Sequence, residues 1–161
     1  MSTLSSLIKE LAHLLKQKKW QIVTAESCTG GLIAGAFTEV PGSSEWFERG
    51  FVTYSNLAKH EMLGVPKELI AEFGAVSEQV AQEMAAGALK NSAGQIAVSV
   101  TGIAGPDGGS ADKPVGLVCF AVAFGQHIEL ATKHFTGSRQ DIRLASVAYA
   151  VSAVLQIVKK Y

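Results

Sequence analysis

The sequence is short of several things, and each shortage closes off a class of protein. Among 161 residues there are only 2 cysteines, Cys28 and Cys119, too few for the disulfide framework of a small secreted domain. No CxxC or HxxxH spacing occurs and the 4 histidines (His13, His60, His127, His134) are scattered, so no metal site is expected. With 4 prolines, no repeat and no low-complexity tract, nothing reads as a linker between two domains. Charged side chains make up 17%, and Lys plus Arg (14) cancel Asp plus Glu (14). Without a net positive field, no nucleic-acid partner is expected. No basic-then-apolar leader opens the chain, and no apolar run approaches the ~18 residues of a membrane span. The expectation is a cytoplasmic protein with reduced thiols and no membrane association.

Apolar residues, by contrast, reach 48%, which at this length is ample for the core of one domain over 1–161. Leu4, Leu7, Ile8, Leu11, Leu14 and Leu15 form the stripe of an amphipathic helix ending near Lys18 and Lys19. A short apolar strand from Trp20 to Ala25 runs into a small polar and glycine turn, and a helix from Leu32 to Thr38 stops at Pro41-Gly42. Trp46 to Ser55 reads as a second strand, with Asn56 as N-cap of a short helix ending at Gly64. Pro66 starts another short helix, and Ser77 caps a longer one. Ile96 to Val100 is a strand, and Val115–Phe124 with His127–Phe135 a hairpin closed at Gly125-Gln126. Ser138 with Asp141 opens a last helix reaching Lys159. Early alternation of helix and strand with a late hairpin predicts the α/β class: a single three-layer domain with a mixed β-sheet flanked by helices.

Four features bear on chemistry. The turn Glu26-Ser27-Cys28-Thr29-Gly30-Gly31 sits where a strand passes into a helix. Backbone N–H groups and the positive helix end there suit an oxyanion or a phosphate, and Ser27, Cys28 and Thr29 are all possible nucleophiles. It is neither GxSxG nor a Walker A loop, and a plain capping turn has the same composition. Lys59, in the first turn of the helix capped by Asn56 and so at N3, opposes the helix dipole; with partial burial that field favours the neutral amine a general base needs. An ordinary surface lysine is the bland alternative, and His60 beside it is a second candidate base. Gly102, Gly105, Gly108 and Gly109, after Thr101 at a strand end, allow a ligand close to the backbone, although a flexible hairpin connection also uses glycines. Arg139 and Arg143, spaced i, i+4 at the start of the last helix, repel each other and the dipole unless an anion lies between them; with Asp141 beside them they are otherwise solvated.

Six ordered blocks, TAESCTGG, VTYSNLAKHEMLGV, AVSEQVAQEMA, VSVTGIAGPDGG, KPVGLVCFAV and GSRQDIR, resemble the CinA C-terminal domain family from about Leu4 to Val158. The resemblance is to its stand-alone form and implies nicotinamide-nucleotide amidohydrolase activity, with a place in pyridine-nucleotide salvage. It implies Ser27 as nucleophile, Lys59 as its basic partner and Tyr54 as a proton relay or orienting group. The same resemblance implies roles for Thr101, Arg139 and Arg143, one or both arginines holding the phosphate; Glu26, Thr29, Gly30, Gly31, Gly102 and Gly105 of the two glycine turns join them as candidate substrate-binding residues. Cys28 stands at a position that varies in the family, and Leu117 where the family usually has threonine. No cofactor is implied; the expected partners are nicotinamide mononucleotide and further copies of the chain. Two rivals stand beside this reading: a nucleotide-binding module without chemistry, and a thiol hydrolase built on Cys28.

Overall fold

The N-terminal stripe folds as helix α1 (Thr3–Lys18), which buries Ile8, Leu11, Ala12 and Leu15. The computed structural model describes residues 3–161, so residues 1 and 2 of the expected domain lie outside the described part. After α1 come β1 (Ile22–Glu26), α2 (Leu32–Thr38), β2 (Phe47–Val52), α3 (Asn56–Leu63), α4 (Lys67–Phe73) and α5 (Glu78–Lys90). The chain closes with β3 (Ile96–Gly102), β4 (Leu117–Phe124), β5 (His127–His134) and α6 (Arg139–Lys160). The strands form one mixed sheet in the order β2-β1-β3-β4-β5. β1 is parallel to both β2 and β3, while β3–β4 and β4–β5 are antiparallel.

The alternation of side chains along the strands divides the core into two layers. Ile96, Val98, Val100, Val118, Phe120 and Val122 meet α1, α2 and α6 on one face of the sheet. Val23, Ala25, Ala97, Cys119, Ala121 and Ala123 meet α3, α4 and α5 on the other. The second face is lined by small residues, as is α5 with Ala81, Ala85 and Ala88, so α5 lies close on the sheet. Ser99 Oγ donates to Ala81 O at 2.6 Å across that contact. β4 is buried along its whole length, whereas β5 is exposed at nearly every position and forms the sheet edge.

Two readings of the sequence change. Ser55, not Asn56, is the N-cap of α3, accepting from Ala58 N at 3.0 Å; both residue types cap well, and the extended backbone at Ser55 decides it. Lys59 therefore sits one place further along, at N4. The α6 helix is also long and apolar enough by composition to cross a membrane, but half of that apolar window is buried inside the fold. Its buried Ile142, Val147, Val151, Val154 and Val158 are core residues of the first layer. The capping box predicted at its start is present, Ser138 and Asp141 bonding reciprocally.

Candidate active site

The parallel strands run outward from β1 in both directions, β2 on one side and β3 on the other. Such a change of direction opens a crevice beyond the strand ends, where α/β sheets bind ligands. β1 ends at Glu26, whose side chain shapes the turn beyond it. Glu26 is fully buried, and its carboxylate accepts from Thr29 Oγ1 (2.6 Å), Ile33 N (2.9 Å) and Ala34 N (3.0 Å). It caps α2 from a distance, because Gly31, in the N-cap position, has no side chain to do so. Ser27 N donates to Val100 O and Gly30 N to Ser27 O, closing a tight turn with Gly30 at φ 59°. Among the described residues, the N–H groups of Cys28 and Thr29 in this turn donate to no backbone carbonyl.

Ser27 Oγ lies 2.9 Å from Lys59 Nζ. The lysine is 1% exposed, and Nζ also donates to Thr53 O (2.9 Å) and Tyr54 O (3.2 Å), the carbonyls just beyond β2. Among the described residues, no carboxylate pairs with it. Burial lowers its pKa from 10.5 to about 8, since a cation loses solvation there without an anion to replace it. Nζ donates to Ser27 Oγ, whose own hydroxyl lies 3.5 Å from Tyr54 O; a free amine in this place would keep its two protons on the carbonyls and present its lone pair to the hydroxyl. That is the arrangement of a nucleophile with its base. The neighbouring Cys28 is buried, and burial pushes its thiol up to about 12, the nearby Glu26 carboxylate adding to the effect. It is not a thiolate at neutral pH.

The far wall is the glycine loop after β3, together with the segment joining α4 to α5. Thr101 Oγ1 donates to Ala75 O at 2.8 Å, and Lys113 Nζ donates to Phe73 O. Arg139 Nη1 donates to Gly105 O (2.7 Å) and Nη2 to the Tyr54 hydroxyl (3.3 Å). Arg143 Nε and Nη2 donate to Cys28 O (3.1 Å) and Thr29 O (3.2 Å), tying the Ser27 turn to α6. These walls enclose an open pocket of about 250 Å³, lined by Ser27, Lys59, Tyr54, Asn56, Thr101 and Arg139 among others.

Comparison with known proteins bears directly on this site. The family model for the CinA C-terminal domain matches residues 4–158. The chain belongs to the CinA C-terminal domain family. It is 51% identical to the nicotinamide-nucleotide amidohydrolase PncC of Enterobacter agglomerans, over 95% of this chain and 94% of that protein. It is 49% identical to PncC of Escherichia coli K12, over 96% and 94%. The crystal structure of the competence/damage inducible protein CihA of Agrobacterium tumefaciens superposes with a TM-score of 0.94 at 46% identity, over 98% of this chain and 96% of that one. That of competence damage-inducible protein A of Klebsiella pneumoniae gives 0.96 at 35% identity, over 99% of each.

Within this CinA domain the expected residues divide. Ser27, Lys59, Thr101, Gly102 and Arg139 line one pocket. Glu26 and Thr29 do not offer side chains to a ligand: both are fully buried and bonded to each other, so they build the turn. Thr101 is 1% exposed with its proton committed to Ala75 O, leaving only its oxygen for a ligand. Arg143 stands behind the turn near Gly30, where an added Cβ would come 3.2 Å from Nη2. Tyr54 contributes its backbone carbonyl to Lys59, but its phenol bonds Arg139 and neither Lys59 nor Ser27, which counts against a proton relay. His60 faces away, its Nδ1 2.9 Å from Val65 O. Sequence reading missed the Thr53 and Tyr54 carbonyls, which no side-chain pattern announces. It also missed Asn56, which is freed for the pocket because Ser55 caps the helix. Among the described residues, no group of three His, Cys, Asp or Glu is placed to hold a metal ion.

Proposed function

We propose that this protein hydrolyses the carboxamide of nicotinamide mononucleotide, giving nicotinic acid mononucleotide and ammonia, a reaction suited to pyridine-nucleotide salvage in the cytoplasm. The observation that carries the reading is the buried Lys59 amine, 2.9 Å from the Ser27 hydroxyl with two carbonyls taking its other protons. The PncC names of relatives about as long as this chain support the substrate. Lys59 Nζ takes the Ser27 proton as Oγ attacks the carboxamide carbon. Oxyanion charge falls to the N–H groups of Cys28 and Thr29, in the place a nucleophile turn provides them. The Lys59 ammonium returns its proton to the amide nitrogen, the C–N bond breaks and ammonia leaves. Water then gives a proton to Lys59 and attacks the acyl carbon, and Ser27 departs with that proton.

Arg139, at the pocket and exposed, is the better placed arginine for the phosphate, with Arg143 holding the turn. Phosphate binding orients the distant amide, so free nicotinamide is a poor substrate. A binding module without chemistry fits less well: it would keep a charged lysine facing its ligand, whereas Lys59 is buried on Ser27. Ammonia release from nicotinamide mononucleotide by the wild type and by Ser27→Ala tests the proposal. The expected result is turnover in the wild type, loss of at least about 10³-fold in the variant, and retained binding. Equal turnover in both would move the nucleophile elsewhere, and none in either would leave a binding module.

A further inference from the structure

Tyr54 is the one large aromatic side chain of the pocket, and the relay role leaves it unexplained. The residue is 62% exposed, at the mouth of a pocket whose described lining includes two basic side chains, Lys59 and Arg139, and no carboxylate. Its hydroxyl accepts from Arg139 Nη2 at 3.3 Å, and its backbone carbonyl takes Lys59 Nζ at 3.2 Å. The backbone and the hydroxyl end are thereby held beside the reacting pair, while the side chain stays largely exposed. An exposed tyrosine held in this way is a platform.

On the reading proposed above, the substrate poses an electrostatic difficulty that such a platform answers. An N-glycosylated nicotinamide is a pyridinium cation. Arg139 repels it, Lys59 as the free amine offers it no anion, and Glu26, the carboxylate next to Ser27, is buried and fully engaged by α2 and Thr29. The remaining attractive surface for a flat cation is the electron-rich face of an aromatic ring, which binds cations and stacks on planar rings together. We infer that Tyr54 is the specificity residue for the charge of the substrate ring, stacking on the pyridinium and selecting it over an uncharged ring of the same shape. The bond from Arg139 then has a second use: it sets the ring plane at the end of the molecule where the phosphate is expected, so ring and phosphate are read by adjoining groups.

The test uses nicotinamide mononucleotide and its reduced dihydropyridine form, which keeps the carboxamide, ribose and phosphate but loses the ring charge. Affinities are measured by calorimetry in Ser27→Ala, where bound ligand is not consumed, with Tyr54 intact or changed to Leu or Phe. Tyr54→Leu is expected to weaken the oxidised form roughly tenfold and the reduced form at most about threefold, and Tyr54→Phe to restore most of the loss. In enzyme with Ser27 intact, Tyr54→Leu should raise KM and leave the acid limb of the kcat profile in place, whereas loss of a proton relay would move it. Equal weakening of both forms, no weakening of either, or failure of Phe to restore binding overturns the inference. If the wild type releases no ammonia yet the charge-selective pattern holds, the amidohydrolase reading falls and the assignment of Tyr54 stands.

Discussion

Lys59 would be an ordinary surface cation at most positions in a short helix; here burial and the lack of a counter-charge suit it to the base role proposed for it. Because burial lowers its pKa to about 8, the neutral form that accepts a proton dominates only above that pH. The rate kcat/KM should therefore fall as pH drops below about 8, approaching tenfold per unit. A profile flat down to pH 6 would remove Lys59 from the base role. Cys28 carries the opposite expectation. On the proposed mechanism its thiol, raised to about 12, takes no part, and Cys28→Ala keeps the backbone N–H assigned to the oxyanion. Turnover within about threefold of wild type is expected, with roughly 1 kcal/mol less stability from the small core cavity. A loss of several hundredfold would revive the thiol hydrolase.

The elements that present these side chains are held by close backbone approaches. α3 carries Lys59 on its first turn and Leu63 on its last, and α5 packs against it at Gly87. A Cβ at Gly87 would come 2.0 Å from Leu63 O, so only glycine lets the two helices lie this near. Gly87→Ala must push α3 away from α5 and carry the lysine with it. The expected cost is about 1–3 kcal/mol of stability by denaturant unfolding. A fall in kcat of more than about tenfold should accompany it, since misplacing a reacting group by roughly an ångström slows the chemistry sharply. Stability loss without any change in kcat would mean that Lys59 is positioned by Thr53 and Tyr54 alone. α2 is the complementary case. It starts at a glycine and takes its cap from Glu26, so one carboxylate fixes both the end of β1 and the turn that displays Ser27.

Across the molecule, the site lies where the parallel strands part, with both layers of the core contributing a wall. Placing an uncompensated amine there has a stability signature. The unfolded chain holds the Lys59 proton up to about 10.5, while the folded protein releases it from about 8. The cation therefore destabilises the fold below pH 8, and that penalty is relieved as pH rises from about 8 to 10.5. Measured against Lys59→Met, so that other titrating groups cancel, wild-type stability should climb through this window by up to roughly 3 kcal/mol. A constant difference would mean that the lysine is solvated in the native state.

Much of this could be read from the chain itself. The apolar stripe of α1, the Ser77 and Ser138 caps, the hairpin of β4 and β5 and the glycine turn after β1 all arise from local periodicity and capping chemistry, which act between near neighbours. The motif blocks named the family and proposed Ser27 and Lys59. Tertiary structure decided what depends on partners distant in sequence. It turned the Glu26 carboxylate onto α2 rather than a ligand, and it fixed the phenol of Tyr54 on Arg139, 85 residues away. It also gave Lys59 the carbonyls of Thr53 and Tyr54 in place of water. Sequence carries the residue types and their local pattern, but desolvation and hydrogen-bond partnership arise only when separate elements close over one another.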